Sequence, residues 1–358
     1  MDENGLHRLL AAAVKVGASD VHLKAGAAPA LRIDGELRPL RAPPLTGEDT
    51  ERLRALVAAS CAGRPDLDAH ASLDVSYRVP GLGRFRVSLY RTHGAWALAL
   101  RAIPATIPTF RSLGLPRSLR AIAGETRGLV LVTGVTGSGK SSTLAAMVDH
   151  INTTRRAHVL TIEDPIEFVH ADKRSWITQR EIGDDCAGFA LELRAALRQD
   201  PDVILVGEMR DAETVETALE AAETGHLVFS TLHTTDAART VGRIVHCVPP
   251  HARDGVRERL ADHLRAIVSQ RLVPRATGGG RVAAVEVLIN TETVQTLIRE
   301  GRTREIPGYL ARNGDAYGTQ TFDQHLLELH EAGVITFDSA RIASSGPADL
   351  ERAMQFEA

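Results

Sequence analysis

Several residue types are scarce in this 358-residue sequence, and each scarcity argues against a class of protein. Its three cysteines, Cys61, Cys186 and Cys247, lie far apart and include no Cys-x-x-Cys pair. This argues against a disulfide framework and a four-cysteine zinc site, and it favours a reducing compartment. No uncharged apolar run is long enough to span a bilayer, and the first residues do not resemble a secretory signal. We therefore expect a cytoplasmic protein without direct membrane insertion.

Lysine is also scarce, and the net charge is small. Four of the 42 basic residues are lysines, so a lysine within a diagnostic motif is informative. The net charge of −3 argues against a general nucleic-acid binder, and no nucleic-acid partner is expected. A content of 44% hydrophobic and 24% charged residues is typical of a globular protein, and the length predicts two domains.

The spacing of apolar residues predicts how the chain is organised. Residues 1–101 combine helical and alternating patterns, which predicts a small α+β domain. A segment punctuated by prolines, residues 102–117, is predicted to be a linker. Residues 118–290 are predicted to form a second domain, in which short apolar strands alternate with helices up to residue 231 and so predict a parallel sheet covered on both faces. From about Pro249 the chain is predicted to be mainly helical, apart from a hairpin around residues 278–280. Residues 291–358 are predicted to be helical.

One segment fits the phosphate-binding pattern G-x-x-x-x-G-K-[ST]. It lies after an apolar strand and before a helix, as a P-loop must. The residues expected to bind nucleotide are Gly134, Val135, Thr136, Gly137, Ser138, Gly139, Lys140, Ser141 and Ser142. Glycines allow backbone N–H groups to surround phosphate, Lys140 is expected to reach the β- and γ-phosphates, and Ser141 is expected to ligate Mg²⁺. The sequence therefore predicts binding of ATP with Mg²⁺.

Three further side chains follow predicted strands at the same edge of the sheet. Glu208 ends the strand that begins at Val203, and it is the candidate acid for Mg²⁺ or water, unless it only caps a helix. Glu163 follows another strand and is the candidate base for the attacking water, whereas Asp164 suits a structural capping role. His233 follows a third strand and is a candidate γ-phosphate contact, although a histidine there is often structural.

Two other interpretations of side chains remain open. His233 with His246, Cys247 and His251 is a conceivable metal set, but its spacing fits no compact zinc pattern. The arginines near the end of the N-terminal domain suit phosphate binding, because a guanidinium carries several fixed donors. The alternative is a solvated strand face, which arginine-rich composition makes common. These arginines are Arg84, Arg86, Arg91 and Arg101.

Longer segments resemble the ATPases that drive type II secretion and type IV pili. Residues 197–211, LRQDPDVILVGEMRD, resemble the signature of that superfamily. Residues 161–170, TIEDPIEFVH, are similar to its acidic box, and residues 224–235, TGHLVFSTLHTT, to its histidine box. The resemblance begins at residues 18–23, ASDVHL. Because the chain is short and lacks a four-cysteine element, it most resembles the PilT-type pilus retraction ATPases.

The resemblance implies more than the residues show alone. It implies an α/β fold: a RecA-like P-loop ATPase core, an N-terminal PAS-like α+β domain and a helical C-terminal segment. It also implies a homohexamer that hydrolyses Mg-ATP, with Glu163 as base, Glu208 as Walker B acid and metal ligand, and His233 as γ-phosphate contact. Arg84, Arg86 and Arg101 would neutralise phosphate charge. The implied partner is an inner-membrane pilus platform protein, which would hold the motor at that membrane. A paralogous retraction ATPase is a second candidate partner.

One departure from the family pattern keeps alternatives open. The retraction motif AIRNLIRE corresponds here to residues 293–300, TVQTLIRE, in which only the second half is retained. The chain is therefore expected to be a retraction motor for twitching motility, with an accessory PilU-like paralogue or another pilus or secretion ATPase as the alternative. A weakly hydrolysing regulatory ring and a DNA translocase are further alternatives, which turnover assays without and with DNA would distinguish.

Overall fold

The computed structural model describes residues 1–33, 35–59, 72–104 and 106–356, so Cys61 lies outside the described residues. Its contacts divide the chain into two compact units. Unit 1 comprises Met1–Thr106, Asp164–Val169 and Glu181–Ala187, and unit 2 comprises Ile107–Glu163, His170–Arg180 and Gly188–Ala358. In the described part of the chain, no helix has both the length and the apolar character needed to cross a membrane.

Unit 1 is an antiparallel sheet with two helices packed on it. Its described strands pair in the order β3-β2-β1-β6-β5-β4. Leu6 and Leu10 from the first helix and Leu53 from the second join Val87 and Leu98 of the sheet in one buried cluster. This confirms the predicted α+β fold. The elements are α1 (Glu3–Lys15), β1 (Asp20–Lys24), β2 (Ala30–Ile33), β3 (Glu36–Pro39), α2 (Gly47–Ala59), β4 (Ser72–Val79), β5 (Gly83–Thr92) and β6 (Ala95–Ile103).

Unit 2 alternates strands and helices up to residue 289 and is helical beyond it. Its first elements are α3 (Phe110–Leu113), α4 (Ser118–Ala123), β7 (Gly128–Thr133), α5 (Lys140–Thr154), β8 (His158–Glu163), β9 (Trp176–Glu181), α6 (Phe189–Ala196), β10 (Val203–Val206), α7 (Ala212–Glu223), β11 (Leu227–Leu232) and α8 (Ala237–Cys247). They are followed by α9 (Arg253–His263), β12 (Leu264–Pro274), β13 (Arg281–Ile289), α10 (Glu292–Arg299), α11 (Ile306–Arg312), α12 (Gly314–Tyr317), α13 (Phe322–Glu331), α14 (Phe337–Ala343) and α15 (Pro347–Phe356).

The described strands of unit 2 form one sheet in the order β13-β12-β7-β11-β10-β8-β9. The pairs β12–β7, β7–β11, β11–β10 and β10–β8 are all parallel. Every residue of β7, β10 and β11 is buried, because helices cover both faces. The alternation of apolar strands and helices therefore predicted the parallel α/β core correctly.

The sheet extends beyond the predicted strands on both sides. The sequence analysis did not predict β9, and it did not predict that the hairpin belongs to this sheet. β9 forms one edge, and the predicted hairpin exists as β12 and β13, whose turn contains Gly278, Gly279 and Gly280, all with positive φ. β12 pairs in parallel with β7, the strand that leads into the P-loop. The hairpin is thus part of the main sheet, which its local turn signal did not show.

The predicted linker, residues 102–117, includes residues that pack within unit 2. The division between the units falls between Thr106 and Ile107. Phe110 is buried in the core of unit 2, with its ring centroid 5.5 Å from that of His150 in α5. The prolines therefore mark an irregular path that is partly anchored by this aromatic side chain. The domain boundaries drawn from the sequence stay a prediction.

The C-terminal helices are fixed by threonine caps and apolar packing. Thr291, Thr321 and Thr336 each accept a hydrogen bond from the third residue of the helix that follows, which satisfies one otherwise unpaired N–H group. α13 buries Phe322 and Leu326 in one apolar cluster with residues of β12 and β13. The predicted helical segment is thereby attached to the edge of the sheet.

Candidate active site

The loop between β7 and α5 has the conformation that its glycines predict. Gly134 has a φ of 144°, and a Cβ atom there would lie 2.4 Å from the Ser138 hydroxyl oxygen and 2.5 Å from the carbonyl oxygen of Gln270. No side chain fits at this position without moving backbone. Gly137 and Gly139 also have positive φ, at 77° and 93°. The chain therefore turns sharply enough to direct successive N–H groups towards one point.

The start of α5 completes an anion-binding loop. Gly139 is the N-cap and supplies no side chain to the unpaired N–H groups of the first turn. Those groups and the helix dipole favour a negatively charged ligand. Within the described residues, the buried Ser138 hydroxyl has no hydrogen-bond partner. Ser141 and Ser142, in the first turn of α5, are half-buried.

Lys140 is the cation of this loop. Its side chain is 9% exposed, and Nζ donates hydrogen bonds to the carbonyl oxygens of Gly134, at 2.9 Å, and Val135, at 3.2 Å. A buried ammonium held over the loop backbone lies beside the N–H groups that would surround phosphate. The predicted roles of the loop and of Lys140 are therefore compatible with the observed geometry.

Parallel pairing brings Glu163, Glu208 and His233 to one edge of the sheet. Val206 of β10 pairs with Ile162 of β8 and with Ser230 of β11, so each of the three side chains follows a paired strand end. β11 in turn pairs with β7, the strand that leads into the P-loop. The sequence analysis expected these residues to share an edge, and the structure places them there.

Glu208 contacts the side chains of two neighbours, Arg210 and His233. Its carboxylate lies 2.6 Å from Nε of Arg210 and 3.5 Å from Nε2 of His233. Glu208 is 14% exposed at the side chain, whereas Arg210 is 73% exposed. The sequence analysis included Arg210 in the family signature but gave it no chemical role. Only the structure shows that the Arg210 guanidinium contacts the carboxylate of Glu208.

Glu163 accepts hydrogen bonds from two neutral side chains. Its Oε1 accepts hydrogen bonds from the Thr161 hydroxyl, at 2.7 Å, and from Nε2 of Gln179, at 3.2 Å. A Cβ on Gly207 would lie 3.5 Å from Cα of Glu163, so the two strand ends are in close contact. Glu163 and Glu208 are thereby held on adjacent strands, which suits one acid near a metal and another near a water.

Three of the four candidate arginines are ion-paired within unit 1, and the fourth, Arg91, lies over the ring of Trp96 at 4.9 Å. Arg84 pairs with Glu181, which is 1% exposed, and also donates to the Ser76 hydroxyl. Arg86 lies 3.3 Å from a carboxylate oxygen of Asp74, and Arg101 lies 2.8 Å from one of Asp20. These acids account for the arginines structurally, and a role at phosphate stays a prediction. The conceivable zinc set has no counterpart in the described residues, where no group of three or more potential ligands is assembled.

Glu286 is a buried acid near the site that the sequence analysis did not identify. It lies in β13, and its Oε1 accepts a hydrogen bond of 2.8 Å from the backbone N–H of Ala237, the first residue of α8. α8 begins four residues after His233, so Glu286 anchors the far end of the loop that carries this histidine. No local motif marks Glu286, because its partner is 49 residues away in the chain.

Replacing Glu286 with glutamine is expected to make stability less dependent on pH. Burial, the largest cause, raises the pKa of Glu286 from 4.5 to about 7, with Asp236 and Asp323 adding to it and Ala237 and Arg271 opposing it. Glu286 therefore contributes a loss of stability as the pH rises from 4.5 to 7, because this carboxyl ionises first in the unfolded chain. We expect Glu286→Gln to match wild type near pH 4.5 and to exceed it by on the order of 3 kcal/mol at pH 8.

The measurement is the thermal unfolding midpoint of both proteins at several pH values between 4.5 and 8. Glu216→Gln is the control, because it removes an exposed carboxylate from α7. Its midpoint should keep a constant offset from wild type. Parallel curves for Glu286→Gln and wild type would show that this carboxylate titrates at its ordinary pKa.

Comparison with known proteins shows similarity along nearly the whole chain. The sequence model of the family described as type II/IV secretion system protein matches residues 3–321. The type IV pilus retraction ATPase PilT of Pseudomonas aeruginosa is 45% identical over 335 residues, which cover 93% of this chain and 96% of that protein. The type IV pilus ATPase PilU of the same organism is 39% identical over 343 residues, covering 96% and 89%.

The fold is also similar to that of a solved motor. A crystal structure of the pilus retraction motor PilT with bound ADP matches with a TM-score of 0.87 at 44% identity. The match covers 98% of this chain and 99% of that one. The similarity in fold therefore extends over nearly the full length of both chains.

Proposed function

The chain belongs to the type II/IV secretion system protein family as a PilT-type ATPase, and on that premise we propose that it retracts type IV pili by hydrolysing Mg-ATP. The observation that carries the proposal is the alignment of the P-loop with Glu163, Glu208 and His233 at one edge of a parallel sheet. Ligands bind at this edge in open α/β sheets. A phosphate cradle with two carboxylates and an imidazole beside it suits hydrolysis of a nucleoside triphosphate.

Nucleotide binding is assigned to the loop and to the start of α5. The N–H groups that follow Gly134 are proposed to hold the α- and β-phosphates, and Lys140 to contact the β- and γ-phosphates. Ser141 and Glu208 offer a hydroxyl and a carboxylate oxygen, which are the hard donors that Mg²⁺ prefers. When bound, Mg²⁺ would neutralise charge on the phosphate oxygens. The donor set is therefore suited to this ion.

Hydrolysis is assigned to the acidic edge. Glu163 is proposed to accept the proton of the attacking water, because its carboxylate is fixed by Thr161 and Gln179 and ends a strand beside Glu208. His233 is proposed to contact the γ-phosphate and to report its loss through Glu208, which lies 3.5 Å from its Nε2. The same side chains would thus bind the phosphate and respond to its release.

The proposed motor is a homohexamer that acts through a membrane partner. We propose a ring held at the cytoplasmic side of the inner membrane by the pilus platform protein, with a paralogous retraction ATPase as a further partner. The identity to PilT and to PilU supports the assignment to pilus ATPases from which this proposal starts. Arg84, Arg86 and Arg101 are proposed to neutralise phosphate charge in the ring. Each would then exchange its acidic partner in unit 1 for phosphate.

A second candidate function is that of an accessory PilU-like ATPase. It is favoured by residues 293–300, which retain only half of the retraction motif and lie mostly in α10. From the retained half, Arg299 pairs with Glu258 and Asp262 of α9. This contact stabilises α10 against its neighbour and does not itself distinguish a principal motor from an accessory one.

Deleting the gene and counting surface pili tests the proposal. A retraction motor predicts excess pili and loss of twitching, because extension then continues unopposed. Complementation with the wild-type gene should restore both properties, and complementation with the Lys140→Ala variant should restore neither. Cells without pili would show an extension motor instead. Normal pilus number with weakened retraction under load would favour the accessory function.

A further inference from the structure

Gln179 in the edge strand β9 bridges Glu163 and the turn that precedes its own strand. Its Oε1 accepts a hydrogen bond of 2.8 Å from the backbone N–H of His170, and its Nε2 donates one of 3.2 Å to Oε1 of Glu163. A backbone N–H can only donate, so the amide oxygen must face His170. The amide nitrogen must therefore face the carboxylate. The orientation of this amide is fixed by chemistry on both sides.

The turn that holds Gln179 is itself attached to the P-loop helix. Asn152 of α5 is fully buried; it donates a hydrogen bond of 2.8 Å to the carbonyl oxygen of Ala171 and accepts one of 3.0 Å from the N–H of Lys173. Residues 170–173 are therefore anchored to α5. Burial lowers the pKa of His170 to about 4, so this residue remains neutral in any ordinary assay buffer.

Thr161 and Gln179 donate to the same oxygen of Glu163, Oε1, with the Thr161 hydroxyl at 2.7 Å. Two donors on one oxygen restrict rotation of the carboxylate about its last torsion. A base that must take a proton from one water works best when its carboxylate is held in one orientation. Thr161 lies on the same strand as Glu163, whereas Gln179 reaches it from the neighbouring strand.

From this geometry we infer that Gln179 is a positioning residue for hydrolysis, which orients the carboxylate of Glu163 towards the attacking water. The inference rests on the proposed function, in which Glu163 is the base. Gln179 does not touch nucleotide in this role, so its loss should slow the chemical step and leave ATP binding unchanged. Loss of one hydrogen bond to a charged group predicts a decrease in kcat of about tenfold.

The test compares Gln179→Leu with Thr178→Val, its neighbour on β9. The Thr178 hydroxyl makes a hydrogen bond of 2.9 Å with Nε2 of His158, so its side chain is engaged with a different residue from Glu163. Gln179→Leu removes the hydrogen bonds to His170 and Glu163, whereas Thr178→Val removes the bond to His158 from the same strand. We expect Gln179→Leu to lower kcat about tenfold with KM for ATP close to that of wild type, and Thr178→Val to leave kcat unchanged. The unfolding midpoint of Gln179→Leu should fall, because the N–H of His170 loses its acceptor. Equal losses in both variants would overturn the inference.

A double-mutant cycle separates positioning from general loss of structure. Single-turnover rates are measured for Gln179→Leu in the wild-type background and in the Glu163→Gln background. If Gln179 acts through the Glu163 carboxylate, its replacement has no further effect once that carboxylate is gone. An undiminished tenfold loss in the second background would disprove the inference.

The same experiment distinguishes failure of the inference from failure of the proposed function. A Glu163→Gln variant that turns over ATP at the wild-type rate would remove Glu163 as base, whatever Gln179 does. If Gln179→Leu folds poorly, Gln179→Glu is used in its place. The glutamate keeps the shape of glutamine and retains an oxygen that can accept from the N–H of His170. Its second oxygen replaces the donor to Glu163 with an acceptor, so kcat of Gln179→Glu should fall at least as far as in the leucine variant.

Discussion

Lys140→Ala is expected to abolish steady-state ATP turnover, with a loss on the order of 10³-fold or more. The Lys140 ammonium is held, 9% exposed, over the carbonyl oxygens of the loop that is assigned to phosphate. A charge in such a poorly hydrated site interacts strongly with phosphate oxygens. The loop N–H groups remain in the variant, so some phosphate binding persists while the charge at the β- and γ-phosphates is lost. The measurement is phosphate release at saturating Mg-ATP.

Lys173→Ala is the matched control for this variant. Lysines are scarce in the chain, and Lys173 pairs with Asp149 at 2.6 Å on an exposed surface of unit 2. The same chemical change there should leave turnover within about twofold of wild type, as is usual for surface ion pairs. Phosphate release by Lys140→Ala within a factor of two of wild type would contradict the assigned role. Circular dichroism and size-exclusion mass should match wild type for both variants.

The P-loop could be predicted because its information is local. The glycine spacing, the lysine and the strand and helix on either side lie within about thirty residues, and each has a direct physical reason. The positions of Glu163, Glu208 and His233 needed one further step. Parallel strands end at one edge, so three side chains at three strand ends were expected together, and the register of β8, β10 and β11 confirms it.

The side chains that support the site could not be predicted, because their partners are distant in the sequence. Gln179 is 16 residues from Glu163, and Glu286 is 49 residues from the N–H group it accepts from. Gln270 is 127 residues from Thr143, to whose hydroxyl its amide donates. Each is a single polar residue in an ordinary strand pattern. Only the pairing of strands shows which neighbour it meets.

Unit 1 is built from three separate segments of the chain, which a division of the sequence into consecutive domains could not predict. Asp164–Val169 follows the end of β8 and Glu181–Ala187 begins at the last residue of β9, yet both segments belong to unit 1. There, the buried carboxylate of Glu181 pairs with Arg84 and accepts a hydrogen bond of 2.9 Å from the N–H of Ile166. Arg84, which the sequence analysis assigned to phosphate, therefore has a structural partner in Glu181. No local pattern in the sequence indicates this pair, because the two residues are far apart in the chain.

Glu208→Gln is expected to retain Mg-ATP binding and to lose hydrolysis by roughly 10²–10⁴-fold. The amide has nearly the shape of the carboxylate, so the packing of a side chain that is 14% exposed is kept. What is lost is the negative charge that Arg210 contacts at 2.6 Å and His233 at 3.5 Å, together with a strong oxygen ligand for Mg²⁺. The P-loop, which is unaltered, continues to supply most of the phosphate contacts.

Two measurements on one preparation decide the role of Glu208. Binding of a fluorescent ATP analogue with Mg²⁺ should stay within a few-fold of wild type, while single-turnover hydrolysis falls by the amount given above. Glu213→Gln is the control. Glu213 lies five residues after Glu208, and the variant removes an exposed carboxylate that pairs with Arg194. If binding and hydrolysis are lost together in Glu208→Gln, then Glu208 maintains the structure of this edge through Arg210 and His233, and the metal and water must be held by other groups.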